Sequence, residues 1–392
     1  MKKILIYDDE ERFKRRLEEG LSGLSVLKHE FAISSMSEQD FEEAMNSLRY
    51  RQMELRDHGG WTDEGNPLDD IAIFVIDYDL VLNKKDPFLT GETVAYMARC
   101  FSQCGLIVAV NQYRHDFDLT LRGHPDSFAD LNITDRQLNN PNLWGETVEG
   151  FHPWYWPVLP SYQQGFEKRV RDVRENLDRP VCEVLGFSPE SFNVLPRSVS
   201  EFLSTKKHPS EVTFRAFVLK SGNGLRAKDA SKVDDEVLAR VGAVRVSKWL
   251  ERLVLPEQDI LVDAPHLVFR YPSLLIEDAT RIATWNTTAQ KVECNALNRT
   301  ILEAYRLQQD YWVSRPVWFW ERVRESRDIL EVKEPWKMSR PDWTFCEDAS
   351  RFYEEGYREF VAATESPYSR RFVRYFDGIR YSPIVRLSMR VQ

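Results

Sequence analysis

The chain has 392 residues, of which 42% are hydrophobic and 29% charged, and this balance excludes a disordered or low-complexity protein. Its length predicts two or three domains, each with its own core. The formal net charge of −9 excludes a protein whose overall field draws it onto nucleic acid or anionic lipid.

Short apolar runs near the start of the chain predict buried strands. Residues 4–7 are apolar and are followed directly by Asp8 and Asp9. A second apolar run, 71–76, is again followed by an acid, Asp77. Continuous runs of this length are typical of parallel strands that are covered on both faces. Both strands therefore place acidic side chains at their carboxyl ends.

Helices alternate with these strands. A third apolar run at 106–110 ends in Asn111, and the intervening segments have apolar residues at helical spacing. This alternation predicts a parallel sheet, in which ligands bind beyond the carboxyl ends of the strands. The other predicted elements of this half are helices at 11–24, 38–55 and 92–103, a short strand at 31–33, and an exposed polar insertion at 58–69.

The second half of the chain has a different texture. From residue 144 the sequence becomes rich in Trp and Pro, and we interpret 144–160 as a connector that packs against both neighbouring regions. The connector divides the chain into an N-terminal domain, 1–143, and a larger helix-rich, mixed α+β domain of unknown family, 161–392. In the latter we predict helices at 161–177, 197–203, 234–253 and 296–311, and strands at 212–219 and 266–271.

Asp8, Asp9 and Asp77 form the main candidate site. Three carboxylates at the ends of two strands repel one another unless a cation lies between them. Hard oxygen ligands suit Mg²⁺, which needs only one or two carboxylates. The sequence therefore predicts a magnesium site beside which a carboxylate can attack a phosphoryl group.

Four stretches of the N-terminal third resemble the receiver domain of two-component response regulators: KKILIYDDE, IAIFVIDYDL, a glycine that opens a helix, and GLIVAVNQ. The resemblance implies a flavodoxin-like α/β fold with Asp77 as phosphoacceptor. It also implies that Asp8, Asp9, Asp77 and the backbone carbonyl of Asp79 bind Mg²⁺. Asn111 then occupies the switch position, where the family has Ser or Thr.

The same resemblance implies partners and a place in the cell. It implies a signalling protein that receives its signal from a histidine kinase or another phosphodonor protein. Such a protein is phosphorylated and is not expected to be an enzyme itself. The C-terminal domain would relay or absorb that signal through a protein partner. Because the sequence has no helix-turn-helix pattern, no signal peptide and no run of about 20 apolar residues, we expect a cytoplasmic protein without a nucleic-acid or membrane partner.

One departure from the receiver pattern leaves a first alternative open. Asp135 stands at the end of the predicted fifth strand, where the family has a lysine, and a carboxylate cannot pair with a phosphoryl group. Lys84, Lys85 or Arg114 could substitute for that lysine. The alternative is a pseudo-receiver scaffold that folds but is not phosphorylated.

A second alternative is a phosphatase of the haloacid-dehalogenase type. Residues 77–81 resemble the nucleophile motif of that family, which implies that Asp77 is the nucleophile and Asp79 the general acid or base. Asp130 and Asp135 resemble its distal metal ligands. This alternative leaves the acid pair after the first strand without a role.

Overall fold

A computed structural model describes most of the chain. The described residues are 1–61, 65–80, 89–111, 121–153, 156–193, 195–204, 206–220, 225, 227–272, 280–291, 299–327, 342–347, 349–354, 360–362 and 371–374. Within these ranges, none of the helices combines the length and the apolar character that are needed to cross a bilayer.

Five parallel strands form the N-terminal sheet. They are β1 (Lys2–Tyr7), β2 (Phe31–Ser35), β3 (Ile73–Asp77), β4 (Leu106–Asn111) and β5 (Leu131–Thr134). Their order, β2-β1-β3-β4-β5, is that of flavodoxin-like sheets. Every residue of β3 and β4 is buried, which explains why both are continuous apolar runs. The predicted parallel α/β fold is confirmed.

Four helices alternate with the strands of this region. They are α1 (Glu11–Gly23), α2 (Glu38–His58), α3 (Gly91–Phe101) and the single turn α4 (Asp135–Leu138). Three of them begin at side-chain caps, since Ser37, Thr90 and Thr134 each accept a hydrogen bond from the first turn of α2, α3 and α4, respectively. Each cap fixes where the chain leaves a strand-end loop and turns into a helix.

The polar segment after α2 is only partly exposed over its described part, since Gly65 and Pro67 are exposed but the residues that follow each of them are not. Asn66 and Leu68 are buried, and the Asn66 side chain donates to the Ala44 carbonyl at 2.9 Å. Asp69 accepts two hydrogen bonds from the buried Arg51 side chain, at 2.9 and 2.8 Å. Polar side chains are buried here because their atoms have partners.

The larger region is mixed α and β, as predicted. Its described helices are α5 (Leu159–Glu175), α6 (Val181–Val184), α7 (Arg197–Leu203), α8 (Phe214–Val218), α9 (Asp235–Trp249), α10 (Ala264–Arg270), α11 (Ile282–Lys291), α12 (Arg299–Ala304) and α13 (Trp320–Glu325). Strands β6 (Leu261–Asp263) and β7 (Val317–Phe319) form an antiparallel pair. A second sheet has the order β10-β11-β8-β9 and consists of β8 (Trp343–Cys346), β9 (Arg351–Glu354), β10 (Phe360–Ala362) and β11 (Arg371–Arg374).

Two segments that the sequence predicted as strands are helices. Residues 212–219 contain α8, and residues 266–271 lie largely in α10. Thr213 and Asp263 cap these helices by accepting a backbone hydrogen bond from the first turn. Both segments are rich in β-branched and aromatic residues, but caps and tertiary packing outweigh that weak preference.

The N-terminal sheet and most of the helices that follow it share one hydrophobic core, while a second, smaller cluster lies among α10, α11, α13, β8 and β9. A single cluster of buried side chains extends from β1 to β7. The segment predicted to be a connector contributes to this cluster through Trp144, Phe151 and Trp156. The domain limits at 143 and 161 stay a prediction, but the packing is continuous across both of them.

Cationic side chains of α9 and the turn after it reinforce this contact. They donate hydrogen bonds to loops at the edge of the N-terminal sheet. The pairs are Arg240 with the Cys104 carbonyl, Arg245 with the carbonyl and carboxylate of Asp126 (3.0 and 2.6 Å), Lys248 with the His124 carbonyl (3.5 Å) and Arg252 with the Gly123 carbonyl (2.8 Å). The sheet edge is thus held from the helical side by directional bonds as well as by apolar contact.

Candidate functional site

Three carboxylates meet at the carboxyl end of the N-terminal sheet. Asp8 follows β1 and Asp77 ends β3, and these neighbouring strands pair Tyr7 with Ile76. Ligand oxygens of Asp8, Asp9 and Asp77 all lie within 4.8 Å of one another. Asp8 and Asp77 are only 2% and 3% exposed, whereas Asp9 is half-buried. The structure therefore brings together the three acids that the sequence predicted as one site.

The environment of Asp77 disfavours its charged form. Burial raises the pKa of this carboxyl group to about 8, and the negative charges of Asp8 and Asp9 act in the same direction. A hydrogen bond from the backbone N–H of Asp79 opposes them. A divalent cation among the three carboxylates would offset both the burial and the repulsion. The donor set is all oxygen, so these residues fit Mg²⁺.

Asp79 and Asn111 lie at the same edge of the sheet. Asp79 follows Asp77 by two residues and contacts it through its N–H, while the proposed role of its carbonyl as a metal ligand stays a prediction. Asn111 ends β4 and is buried, one residue beyond Val110, the register partner of Asp77. A carboxamide at this position can donate a hydrogen bond towards a group held by Asp77.

The hydroxyl nearest to Asn111 in the sheet has another role. Thr134, at the end of β5, is the register partner of Asn111. Its side chain accepts from the Gln137 N–H at 3.2 Å, while the Gln137 side chain accepts from the Thr134 N–H at 2.9 Å. This reciprocal pair forms a capping box that starts α4. The Thr134 hydroxyl is therefore occupied in capping α4, and Asn111 stays the candidate for the switch position.

Gly91 brings the N-terminus of α3 against the end of β3. A Cβ atom at this position would lie 2.7 Å from the Cα of Tyr78 and even closer to the Asp77 carbonyl oxygen. The Gly91 N–H donates to the Tyr78 carbonyl at 2.9 Å. Only glycine allows such an approach of two main chains. The partial positive charge of the helix N-terminus thereby lies next to the acids.

Replacing Gly91 with Ala should destabilise the protein by about 1–3 kcal/mol, because one main chain has to move away from the other. The same shift should weaken any stabilisation of the protein by Mg²⁺. Gly23→Ala is the matched control, since nothing lies within 4 Å of the Cβ that it adds near the end of α1. That control should be neutral or stabilising. Urea unfolding of both variants measures the difference, and equal stabilities would contradict the close approach.

Asp135 lies where the sequence placed it, directly after β5. It forms an ion pair with Arg16 of α1, so the end of β5 presents a neutralised acid. Lys84, Lys85 and Arg114, which could replace the missing lysine, lie outside the described residues. The end of β5 therefore has an acid, Asp135, where receiver domains have a lysine.

Asp130 does not belong to the Asp77 site, in contrast to the phosphatase alternative. It precedes β5, pairs with Arg99 at 2.5 Å and accepts from the Ile107 N–H at 2.8 Å. In register, Ile107 is paired with Phe74, three residues before Asp77. At about 3.3 Å per residue, this places Asp130 roughly 10 Å along the sheet from the acids. Asp130 therefore supports the opposite end of the sheet.

A group of buried arginines between the sheet and α5 was not predicted from the sequence. Arg99, Arg122 and Arg169 are all fully or almost fully buried. The signal for Arg169 was present in the sequence, because it lies three residues after Phe166 and seven after Tyr162, at the spacing of the apolar face of α5. An arginine on such a face is expected either to pair with an acidic side chain or to bind an anion.

Comparisons with known proteins give the fold no family name. The order of the N-terminal sheet links it to flavodoxin-like architectures, which host many unrelated functions. Functional inference therefore depends on the site itself. No family model matches the chain, and no curated protein or solved structure is significantly similar to it.

Proposed function

We propose that the N-terminal region is a phosphoacceptor that depends on a divalent cation, and that Asp77 is the residue that takes the phosphoryl group. The supporting observation is the convergence of three carboxylates within 4.8 Å at the carboxyl edge of a flavodoxin-like sheet. Ligands of such sheets bind at this edge. The donor is a histidine kinase, another phosphodonor protein or a small acyl phosphate.

The chemistry follows from the buried carboxylates. Asp8, Asp9 and Asp77 would hold Mg²⁺, with the Asp79 carbonyl as a further ligand, and the bound ion supplies charge neutralisation for the phosphoryl oxygens. One carboxylate oxygen of Asp77 attacks phosphorus, and the leaving group departs with the electron pair of the bond that it had to phosphorus. The product is an acyl phosphate on Asp77. The Asn111 carboxamide donates a hydrogen bond to one of its oxygens.

Helix α3 offers a physical route from Asp77 to the helical region. Its N-terminus abuts the end of β3 at Gly91. Near its other end, the Arg99 guanidinium stacks on the ring of Phe166 in α5, at 4.6 Å. The 11 residues of α3 span roughly 16 Å at 1.5 Å per residue. A charge added at Asp77 would therefore act on an element that also contacts the region proposed to bind the protein partner.

Labelling by acetyl phosphate with Mg²⁺ should incorporate one phosphoryl group per chain, and Asp77→Asn should incorporate none. Asp70→Asn is the control, because it removes an equal charge from an exposed position and should leave labelling intact. Incubation with p-nitrophenyl phosphate separates the enzymatic alternative. Sustained turnover that is lost in Asp77→Asn would favour the phosphatase, whereas Mg²⁺ binding without any labelling would favour the pseudo-receiver scaffold.

A further inference from the structure

A cavity of about 510 Å³ lies between residues 142–165 and the turn around Tyr311. It is separate from the acidic site, since its lining residues include none of Asp8, Asp9, Asp77, Asp79 and Asn111. Aromatic and proline side chains form much of its wall, including Trp156 and Tyr162. A volume of this size is typical of small-molecule sites.

Arg169 lines this cavity and is 0% exposed. Its Nη1 donates to the Tyr311 carbonyl at 2.6 Å. Its Nε and Nη2 have no hydrogen-bond acceptor among the described residues. Nε and Nη2 share one edge of the guanidinium group, and this edge is the fork that binds a carboxylate or phosphate with two parallel hydrogen bonds. A buried fork without an acceptor is costly unless an anion is bound.

The charges around Arg169 are mostly positive. The guanidinium carbons of Arg169 and Arg122 lie 4.4 and 4.0 Å from the centre of the Tyr162 ring. Burial lowers the pKa of Arg169, and Arg122 and Arg99 contribute to that lowering. Asp130, an acid that acts in the opposite direction, is already paired with Arg99 at 2.5 Å. The field in this part of the interior therefore favours an anion.

The two acids that line the cavity are engaged elsewhere. Glu146 accepts from the Ser25 hydroxyl at 2.6 Å and from the Val26 N–H at 3.0 Å. Asp310 pairs with Arg306 at 3.4 Å. The hydroxyl oxygen of Ser314, which also lines the cavity, is buried and has no hydrogen-bond partner among the described residues. Among the described residues, Ser314 is thus a second residue of the wall that has a polar atom without a partner.

We propose that this cavity binds a small organic molecule that carries a carboxylate or phosphate group. The anion accepts two hydrogen bonds from the Nε and Nη2 atoms of Arg169 and one from the Ser314 hydroxyl. The apolar, planar part of the molecule lies against Trp156 and Tyr162. Specificity follows from this combination, because an anion without an apolar body leaves the aromatic wall in contact with water and a neutral molecule leaves the fork unpaired.

Calorimetric titration of the full chain in EDTA tests the proposal with four probes: inorganic phosphate, phenyl phosphate, benzoate and benzyl alcohol. We expect phenyl phosphate or benzoate to bind more tightly than inorganic phosphate, and benzyl alcohol not to bind. The comparison of the first two distinguishes a phosphate from a carboxylate ligand. Failure of both aromatic anions to bind at millimolar concentration would overturn the proposal.

Two variants and one control locate the binding. Arg169→Gln should lower the affinity for the anion by a factor of about ten or more, since a bidentate charge-assisted contact is lost. Ser161→Trp, at an exposed position on the rim, should block the cavity without touching the buried arginine, so it keeps the test valid if Arg169→Gln does not fold. Arg171→Gln, exposed on the same helix, should bind as the wild type does. Unchanged affinity in Ser161→Trp, or affinity lost in Asp77→Asn, would place the anion elsewhere and refute the site.

Discussion

Asp77→Asn should stabilise the metal-free protein at about pH 8, because the wild type then carries a buried carboxylate without a counter-ion. The folded-state pKa of Asp77 is about 8, well above the value of about 4 expected for an unfolded chain. The folded state therefore holds a proton that the unfolded state has released. The free energy of unfolding that Asp77 contributes is fully present below about pH 4. As the pH rises from about 4 towards 8, the free energy of unfolding falls by up to about 1.4 kcal/mol per pH unit.

Urea unfolding in EDTA, at about pH 5 and about pH 8, measures this dependence. The wild type should be less stable at about pH 8 than at about pH 5, and this loss of stability should be smaller in Asp77→Asn. Addition of Mg²⁺ at the higher pH should raise the free energy of unfolding of the wild type. The increase should be about 2.7 kcal/mol when the Mg²⁺ concentration is 100 times the dissociation constant, and the variant should change little. Asp70→Asn, an exposed acid close in sequence to β3, should follow the wild type. Parallel pH dependence of the wild type and Asp77→Asn would contradict the raised pKa.

The buried pair of Arg99 and Asp130 should give the largest loss of stability on mutation. Both side chains are 0% exposed, and their charged atoms are 2.5 Å apart. Asp130→Asn leaves the guanidinium group without its counter-ion, and Arg99→Met leaves the carboxylate without its own. Either change should cost about 3–5 kcal/mol, because an uncompensated charge stays buried.

A double variant distinguishes the pair from its surroundings. Arg99→Met combined with Asp130→Leu removes both charges, so it should cost less than the sum of the single changes. The exposed pair of Arg15 and Glu11, 3.1 Å apart on α1, is the control, and Arg15→Met should change stability by less than about 1 kcal/mol. If Asp130→Asn proves as mild as Arg15→Met, the buried pair does not hold α3 to the sheet.

The strands and the acids at their ends were predictable from sequence because they depend on local pattern. In β3, complete burial requires an uninterrupted apolar run, and Asp77 interrupts that run where the strand reaches the edge of the sheet. The same holds for the buried part of β1, residues 4–7, and for Asp8. Parallel pairing then brings strand ends together without further information. Both the fold of this region and the geometry of its acidic site follow from that one rule.

Other features depend on contacts between distant residues and could not be predicted. Thr213 caps α8 in a segment whose composition favours a strand, and the surrounding packing decides the outcome. The pairing of Arg99 with Asp130 joins two different elements of the fold, and nothing near either residue in the sequence indicates it. The position of Arg169 on the apolar face of α5 is visible in the sequence, but the cavity that it lines is not. Long-range charge placement of this kind is visible only in three dimensions.

The position of the phosphoryl group on the chain shows directly whether Asp77 is the phosphoacceptor. An acyl phosphate on Asp77 is reduced by borohydride to homoserine, which peptide mass spectrometry identifies at the position where the group was attached. After treatment with acetyl phosphate, we expect homoserine at position 77 only when Mg²⁺ is present, and none in Asp77→Asn. Homoserine at another acid, or labelling at position 77 that is equally strong in EDTA, would contradict a phosphoacceptor site built from Asp8, Asp9 and Asp77.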